Sequence, residues 1–208
     1  MKNMFRIAIL VGATALLAAC AAEITGKSGF LKDYSQLKPD PKIEGALRYE
    51  KPGASLTSYR KFIIYPVVIH FAPNAKGVGL DPENLVELTR YFRTEAVKKL
   101  SKNYAVVDKA GAGVMRIRIA LTSIETTTPI ANIHPAMKLS GLGLGGASME
   151  AEVLDSVSGE RLAAVVESRA GDRMSIGAGF SKFGHAKQVM DMWIDRFVAR
   201  LDKARGAK

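Results

Sequence analysis

The chain has a single cysteine, Cys20, and only three histidines, His70, His134 and His185, in 208 residues. One cysteine excludes an internal disulfide and a thiolate metal site. The histidines are far apart, and no pair has the spacing that puts two imidazoles on one helix face, so a zinc centre is not expected. The only tryptophan is Trp193 and aromatics make up 7% of the chain. No G-x-S-x-G elbow occurs, which removes the usual signal of a serine hydrolase. Only residues 7–17 form an extended uncharged apolar run. They fall short of the roughly 20 residues that a permanent membrane-spanning helix needs.

What stands around that run is ordered. Lys2 and Arg6 precede it, small residues follow, and then comes Cys20. Positive, apolar, then small is the order of a secretory signal. Leu17-Ala18-Ala19-Cys20 resembles the lipobox at which a lipoprotein signal peptide is cut, with Cys20 as the acylated residue. Residues 1–19 are therefore expected to be the signal peptide. More than one acyl chain on Cys20 gives stable membrane anchoring, where a single chain is marginal. Ala21 stands where an Asp would suggest inner-membrane retention, so a periplasm-facing position on the outer membrane is expected.

Removing residues 1–19 leaves 189 of 208 residues, and 28 basic against 20 acidic side chains, a formal charge of +8. That length suits one domain with a tether. Export argues against nucleic acid as the partner of the basic surface. Anionic head groups or glycans are the available alternatives, and a solvated surface with no ligand is the simpler reading, because the basic residues are spread along the chain.

Residues 20–58 read as the lipidated cysteine, a tether and an extended arm. Pro39, Pro41 and Pro52 argue against a helix or central strand there, and Phe30, Leu31, Tyr34 and Leu37 are apolar enough to dock the arm. Residues 59–205 read as a single α+β domain. The dense apolar stretch 61–71 is a strand, with Pro66 marking an edge or a bulge. Asp81 and Pro82 start a helix as N-cap and first residue, and Leu85, Leu88, Phe92, Ala96 and Leu100 form its apolar stripe. A short strand at 104–107 follows. In 114–124, Met115, Ile117, Ile119 and Leu121 alternate with Arg116, Arg118, Ala120 and Thr122, as in a half-buried strand. Residues 147–170 read as a hairpin turning at Gly159. Residues Ala186, Val189, Met190, Trp193, Ile194, Phe197, Val198 and Leu201 mark a last amphipathic helix. The expected architecture is β-α-β-β-β-β-α, with two helices on one face of a mixed, about five-stranded sheet.

The segments 28–37 (SGFLKDYSQL), 47–67, 110–125 and 149–171 (MEAEVLDSVSGERLAAVVESRAG) resemble a family of proteobacterial lipoproteins, domain of unknown function 3313. The stretch around Glu150, Glu152, Asp155, Gly159, Glu160 and Leu162 carries the likeness most specifically. The resemblance implies a lipoprotein and brings no catalytic residue, metal or cofactor with it. The layout is also similar to small envelope lipoprotein domains that assist transport or assembly complexes.

Gly141, Gly143 and Gly146 fit G-x-G-x-x-G, but dinucleotide binding needs a strand before and a helix after, and here a proline-containing loop precedes and a strand follows. Glu150 and Glu152 are two apart and share one sheet face. A carboxylate pair can do acid–base chemistry when one pKa is raised. Arg116 and Arg118 have the same spacing on the expected neighbouring strand, and exposed cross-strand Glu–Arg pairs worth about 0–1 kcal/mol each are the favoured reading. These four residues are the candidate ligand or partner surface. The expected role is a non-enzymatic accessory or scaffold of a membrane-associated complex, with an envelope protein as partner. The alternatives are a lipoprotein that binds lipid, glycan or lipopolysaccharide, and an envelope hydrolase using Glu150 or Glu152.

Overall fold

A computed structural model describes residues 27–128, 143–172, 174–175 and 177–206. Its centre is the alternating segment expected at 114–124. This segment is β6 (Val114–Glu125), which pairs antiparallel with β7 (Gly146–Asp155). β7 continues through a tight turn into β8 (Arg161–Ala170). The turn depends on Gly159, whose φ of +73° lies in the left-handed region that side chains with a Cβ avoid. Its other support is Asp155, whose Oδ1 accepts hydrogen bonds from the backbone N–H groups of Val157 and Ser158. These bonds, the one to Ser158 foremost, hold the Asp155 carboxyl down at about 2.

Residues 61–71 form two short strands, β3 (Lys61–Ile64) and β4 (Val68–Ile69), both parallel to β6. Pro66 sits at the break, as a residue without an N–H must. The first helix, α1 (Pro82–Leu100), starts where expected, and it buries Leu88, Phe92, Ala96 and Leu100. Asp81 occupies the N-cap, but its side chain takes a hydrogen bond from the Asn84 side chain and none from a helix N–H. Strand β5 (Ala105–Val106) then pairs parallel with β3, and α2 (Gly184–Ala204) ends the described fold.

The α+β class and the mixed sheet stand, but among the described residues the sheet has eight strands, not five, and the order is β-β-β-β-α-β-β-β-β-α, not β-α-β-β-β-β-α. One of the extra strands comes from the split at Pro66. The other two come from the stretch read as an arm: β1 (Lys38–Pro39) and β2 (Ala46–Glu50). β2 lies antiparallel against β8, from Ala46 opposite Glu167 to Glu50 opposite Ala163. β1 is the edge, held by main-chain bonds along one side only, and it covers just two residues of β2, so neither strand needs a continuous apolar pattern, and neither carries one. The path across the sheet is β1-β2-β8-β7-β6-β3-β5, with β4 also on β6.

Both helices pack on one face. Their stripes meet Phe62, Ile64, Met115, Ile117, Leu121, Met149 and Val153 in the main core. Trp193 is buried there, stacked on Phe92 with ring centroids 6.0 Å apart. The opposite face carries a second, smaller cluster of Leu31, Ala164 and Val166, with Phe30, Tyr34, Leu37, Leu47 and Tyr49 around it. The four arm residues singled out for docking are therefore seated on the back of the sheet.

Candidate functional site

The back of the sheet is where the four candidate residues belong. Alternation along β6 puts Arg116, Arg118 and Ala120 on the face opposite the helices, and alternation along β7 does the same for Glu150 and Glu152. The register decides who meets whom. Arg118 lies directly opposite Glu152, but Glu150 lies opposite Ala120 and Arg116 opposite Leu154. So one of the expected cross-strand pairs forms, between Arg118 and Glu152. The other does not.

Glu150 is instead wholly buried, and its partners come from the arm. Its Oε1 accepts the backbone N–H of Ser28 at 2.7 Å. Its Oε2 accepts the N–H of Leu31 at 3.2 Å and the Tyr34 hydroxyl at 2.7 Å. The expectation of an exposed surface pair is thus corrected on both counts, exposure and partner. A carboxylate shut away from water is tolerable only when its lone pairs are met. The segment 28–34 meets them by curling over it, helped by Ser28 Oγ, which accepts the N–H of Phe30 at 3.2 Å. Burial, and next the hydrogen bond to Glu150, push the Tyr34 hydroxyl above its usual pKa, so it stays a donor.

Glu152 is also buried, with two arginines on it. Each of those arginines also holds the arm. Arg118 lies over the Phe30 ring, 4.9 Å from its centroid, a cation–π contact. Arg161 donates from Nε to Glu152 at 3.1 Å and from Nη1 to the Asp33 carbonyl at 2.7 Å. Three of the four candidates therefore converge on a single task, which is gripping residues 28–34. Arg116 does not join them. It donates to the Ser156 carbonyl at 2.8 Å and covers the Tyr65 ring.

The other candidates separate. Cys20, His134 and Gly141 lie outside the described residues. Gly146 opens β7, so a strand and not a helix follows the glycine motif. His185 is buried at the start of α2, where the Gly145 N–H donates to its Nδ1 at 3.3 Å and Thr127 Oγ1 stands 3.2 Å away. Burial lowers its pKa below the ordinary imidazole value. Among the described residues no cluster of His, Cys, Asp and Glu has the makings of a metal site, and no helix is long and apolar enough to cross a membrane.

One functional-looking carboxylate went unread in the sequence. Glu167 on β8 is buried on the helix side, paired with Arg196 of α2 and with Arg169 at 3.3 Å. Its signal was available. Ala163, Val165 and Glu167 share a face, and Arg196 and Arg200 stand four apart beside the apolar stripe of α2.

The family model "Protein of unknown function (DUF3313)" matches residues 26–197. That span runs from the arm into the last helix. The chain belongs to this family. DUF3313 membership thus covers the arm together with the sheet it grips. No curated protein matches the chain. Among solved structures, the chain is similar to the PelC dodecamer from Paraburkholderia phytofirmans at 12% identity, over 78% of this chain and 97% of that one, with a TM-score of 0.42. It is also similar to protein XCC0632 from Xanthomonas campestris, at 12% identity over 76% and 94% of the two chains, TM-score 0.41. The hypothetical protein CT253 from Chlamydia trachomatis gives 12% identity, 71% and 99% coverage and a TM-score of 0.36. Likenesses at this level carry no argument about role.

Proposed function

We propose that this DUF3313 chain is an envelope lipoprotein, acylated at Cys20 on the periplasmic side of the outer membrane, that works without catalysis as an accessory to a membrane-associated complex. The observation that carries the reading is the grip on the arm. Ser28, where Glu150 takes hold, is only eight positions on from Cys20. Eight extended residues reach at most about 29 Å. A lipid on Cys20 would therefore hold the domain close against the bilayer, in a restricted range of orientations. A freely tethered domain would range much further. Such restraint suits a component that must present one surface to a membrane-embedded partner.

The same geometry speaks against the hydrolase alternative. General acid–base work needs a carboxyl within reach of substrate, and the oxygens of Glu150 and Glu152 are occupied by arm donors and arginines in buried positions. Lipid binding, the other alternative, is favoured by a separate feature on the helix side of the sheet.

Intact-mass measurement on protein extracted from the native membrane tests the anchor. The expected species begins at Cys20 and carries two or three acyl chains. A free Cys20 thiol, or a mature chain lacking Cys20, would contradict it. Crosslinking in intact cells should then capture a discrete envelope protein, and Glu152→Gln should complement a deletion strain when present at normal level. Failure of Glu152→Gln with the arm still docked would revive the hydrolase.

A further inference from the structure

Among the described residues, two helices lie over a sheet of eight strands. α2 lies over β7 and β8 and leaves the helix side of β2 beyond its edge. Between the helix layer and the sheet lies a cavity of about 130 Å³, walled by Phe92, Met149, Val153, Trp193, Phe197 and Leu201. It extends to β2 and to the segment before it, where Asp40, Arg48 and Arg200 also line it. Arg48 and Arg200 are partly exposed, which marks this end as the mouth.

We propose that this cavity binds one acyl chain, with an acidic oxygen headgroup, carboxylate or phosphate, held at the mouth by Arg200 and Arg48. The size fits the inner part of such a chain, since an apolar cavity of about 150 Å³ holds benzene, a six-carbon guest. The lining runs from Met149 and Trp193 in the apolar interior to Arg48 and Arg200 at the mouth, a span that one elongated guest can occupy from end to end. The arginines have donors to give. Arg200 faces Asp40 at 3.5 Å and Arg48 faces it at 3.7 Å, both longer than the roughly 2.7–2.9 Å of a charge-assisted hydrogen bond. The second amino group of Arg48 is engaged by Glu50. Arg196 is committed to Glu167, so Arg200 is the principal headgroup contact. Deeper in, the buried indole N–H of Trp193 has no acceptor among the described residues.

Trp193, the only tryptophan, reports on this cavity directly. The full chain is mixed with vesicles whose phospholipids are brominated along the acyl chain, and separately with brominated fatty acid in solution. Bromine quenches an indole it touches, and Trp193 is 3% exposed, so lipid outside the cavity does not reach it. The expected result is loss of most of the Trp193 fluorescence with at least one donor. Quenching by vesicles assigns the chain to phospholipid, and quenching by the soluble acid alone assigns it to free fatty acid. Arg200→Gln should raise the lipid concentration needed about tenfold, the equivalent of one charged contact. Ala151→Phe and the milder Ala163→Leu, which fill the cavity from the sheet side, should abolish quenching while circular dichroism remains that of the parent. Absence of quenching by both donors, or equal quenching in the folded filled variants, would overturn the proposal. The fatty-acid measurement needs no membrane anchor, so its outcome is separable from that of the acylation of Cys20.

Discussion

The two faces of the sheet are held in different ways. On the helix face, stability is spread over many apolar side chains from β3, β6, β7, α1 and α2, so no one residue decides the packing. On the back face the apolar cluster is small, and two buried glutamates draw the arm onto it through a handful of directed bonds. Apolar burial is roughly proportional to area and indifferent to direction. A buried carboxylate is all or nothing, because each unmet lone pair keeps its desolvation penalty. The comparison teaches that the helix face makes the domain fold and the back face makes one segment of it sit still. Damage to the first should be global and damage to the second local.

The largest effect should follow a cut into the helix face. Trp193→Ala removes a buried ring stacked on Phe92 and should destabilise the whole domain by about 3–5 kcal/mol, read as a single cooperative shift in denaturant. On the back face, Glu150→Gln keeps the shape but turns an amide N–H₂ toward the donors of Ser28, Leu31 or Tyr34. A penalty of about 1–3 kcal/mol is expected, appearing as release of the arm with little change in the main unfolding transition. If Glu150→Gln instead lowers global stability as much as Trp193→Ala, the two faces are not separable.

This contrast was half legible in the sequence. The alternation of β6, the stripes of both helices, the break at Pro66 and the docking role of Phe30, Leu31, Tyr34 and Leu37 follow from periodicity and polarity, which are local properties. Register is not local. About twenty residues separate β6 from β7, and nothing in them says whether Arg118 meets Glu152 or Glu150. A slip of two residues keeps every side chain on its face and changes every partner. β1 and β2 escaped notice because such short strands are recruited by the open side of β8 and not by their own pattern. The burial of Glu150 follows from the arm crossing it, a contact spanning more than a hundred residues.

Smaller effects sharpen the comparison at its margins. His185 joins the start of α2 to the loops before β7 and after β6 through its Nδ1. Its folded pKa lies below 6.5, so its contribution is present above that value and is lost as the pH falls from there toward the folded pKa. Thermal stability should drop across that window, and His185→Gln should flatten the drop. Asp155 acts in the same sense further down: its folded pKa of about 2 against 3.8 places the loss between about pH 4 and 2. Smallest of all should be Lys187→Ala. It removes an exposed pair with Glu87 at 2.6 Å between the two helices and should change stability by less than about 1 kcal/mol. A larger loss than that of Glu150→Gln would reverse the ranking of buried over exposed charge.

The central claim is that Glu150 clamps the arm, and amide hydrogen exchange reads it at the donor atoms themselves. In the wild-type chain the N–H groups of Ser28 and Leu31, which end on the Glu150 carboxylate, should exchange slowly although they belong to no strand or helix. In Glu150→Gln those amides should exchange at the rate of open chain, while β6, β7 and β8 keep their protection. Fast exchange at residues 28–34 in the wild type, or unchanged protection there in the variant, would contradict the account.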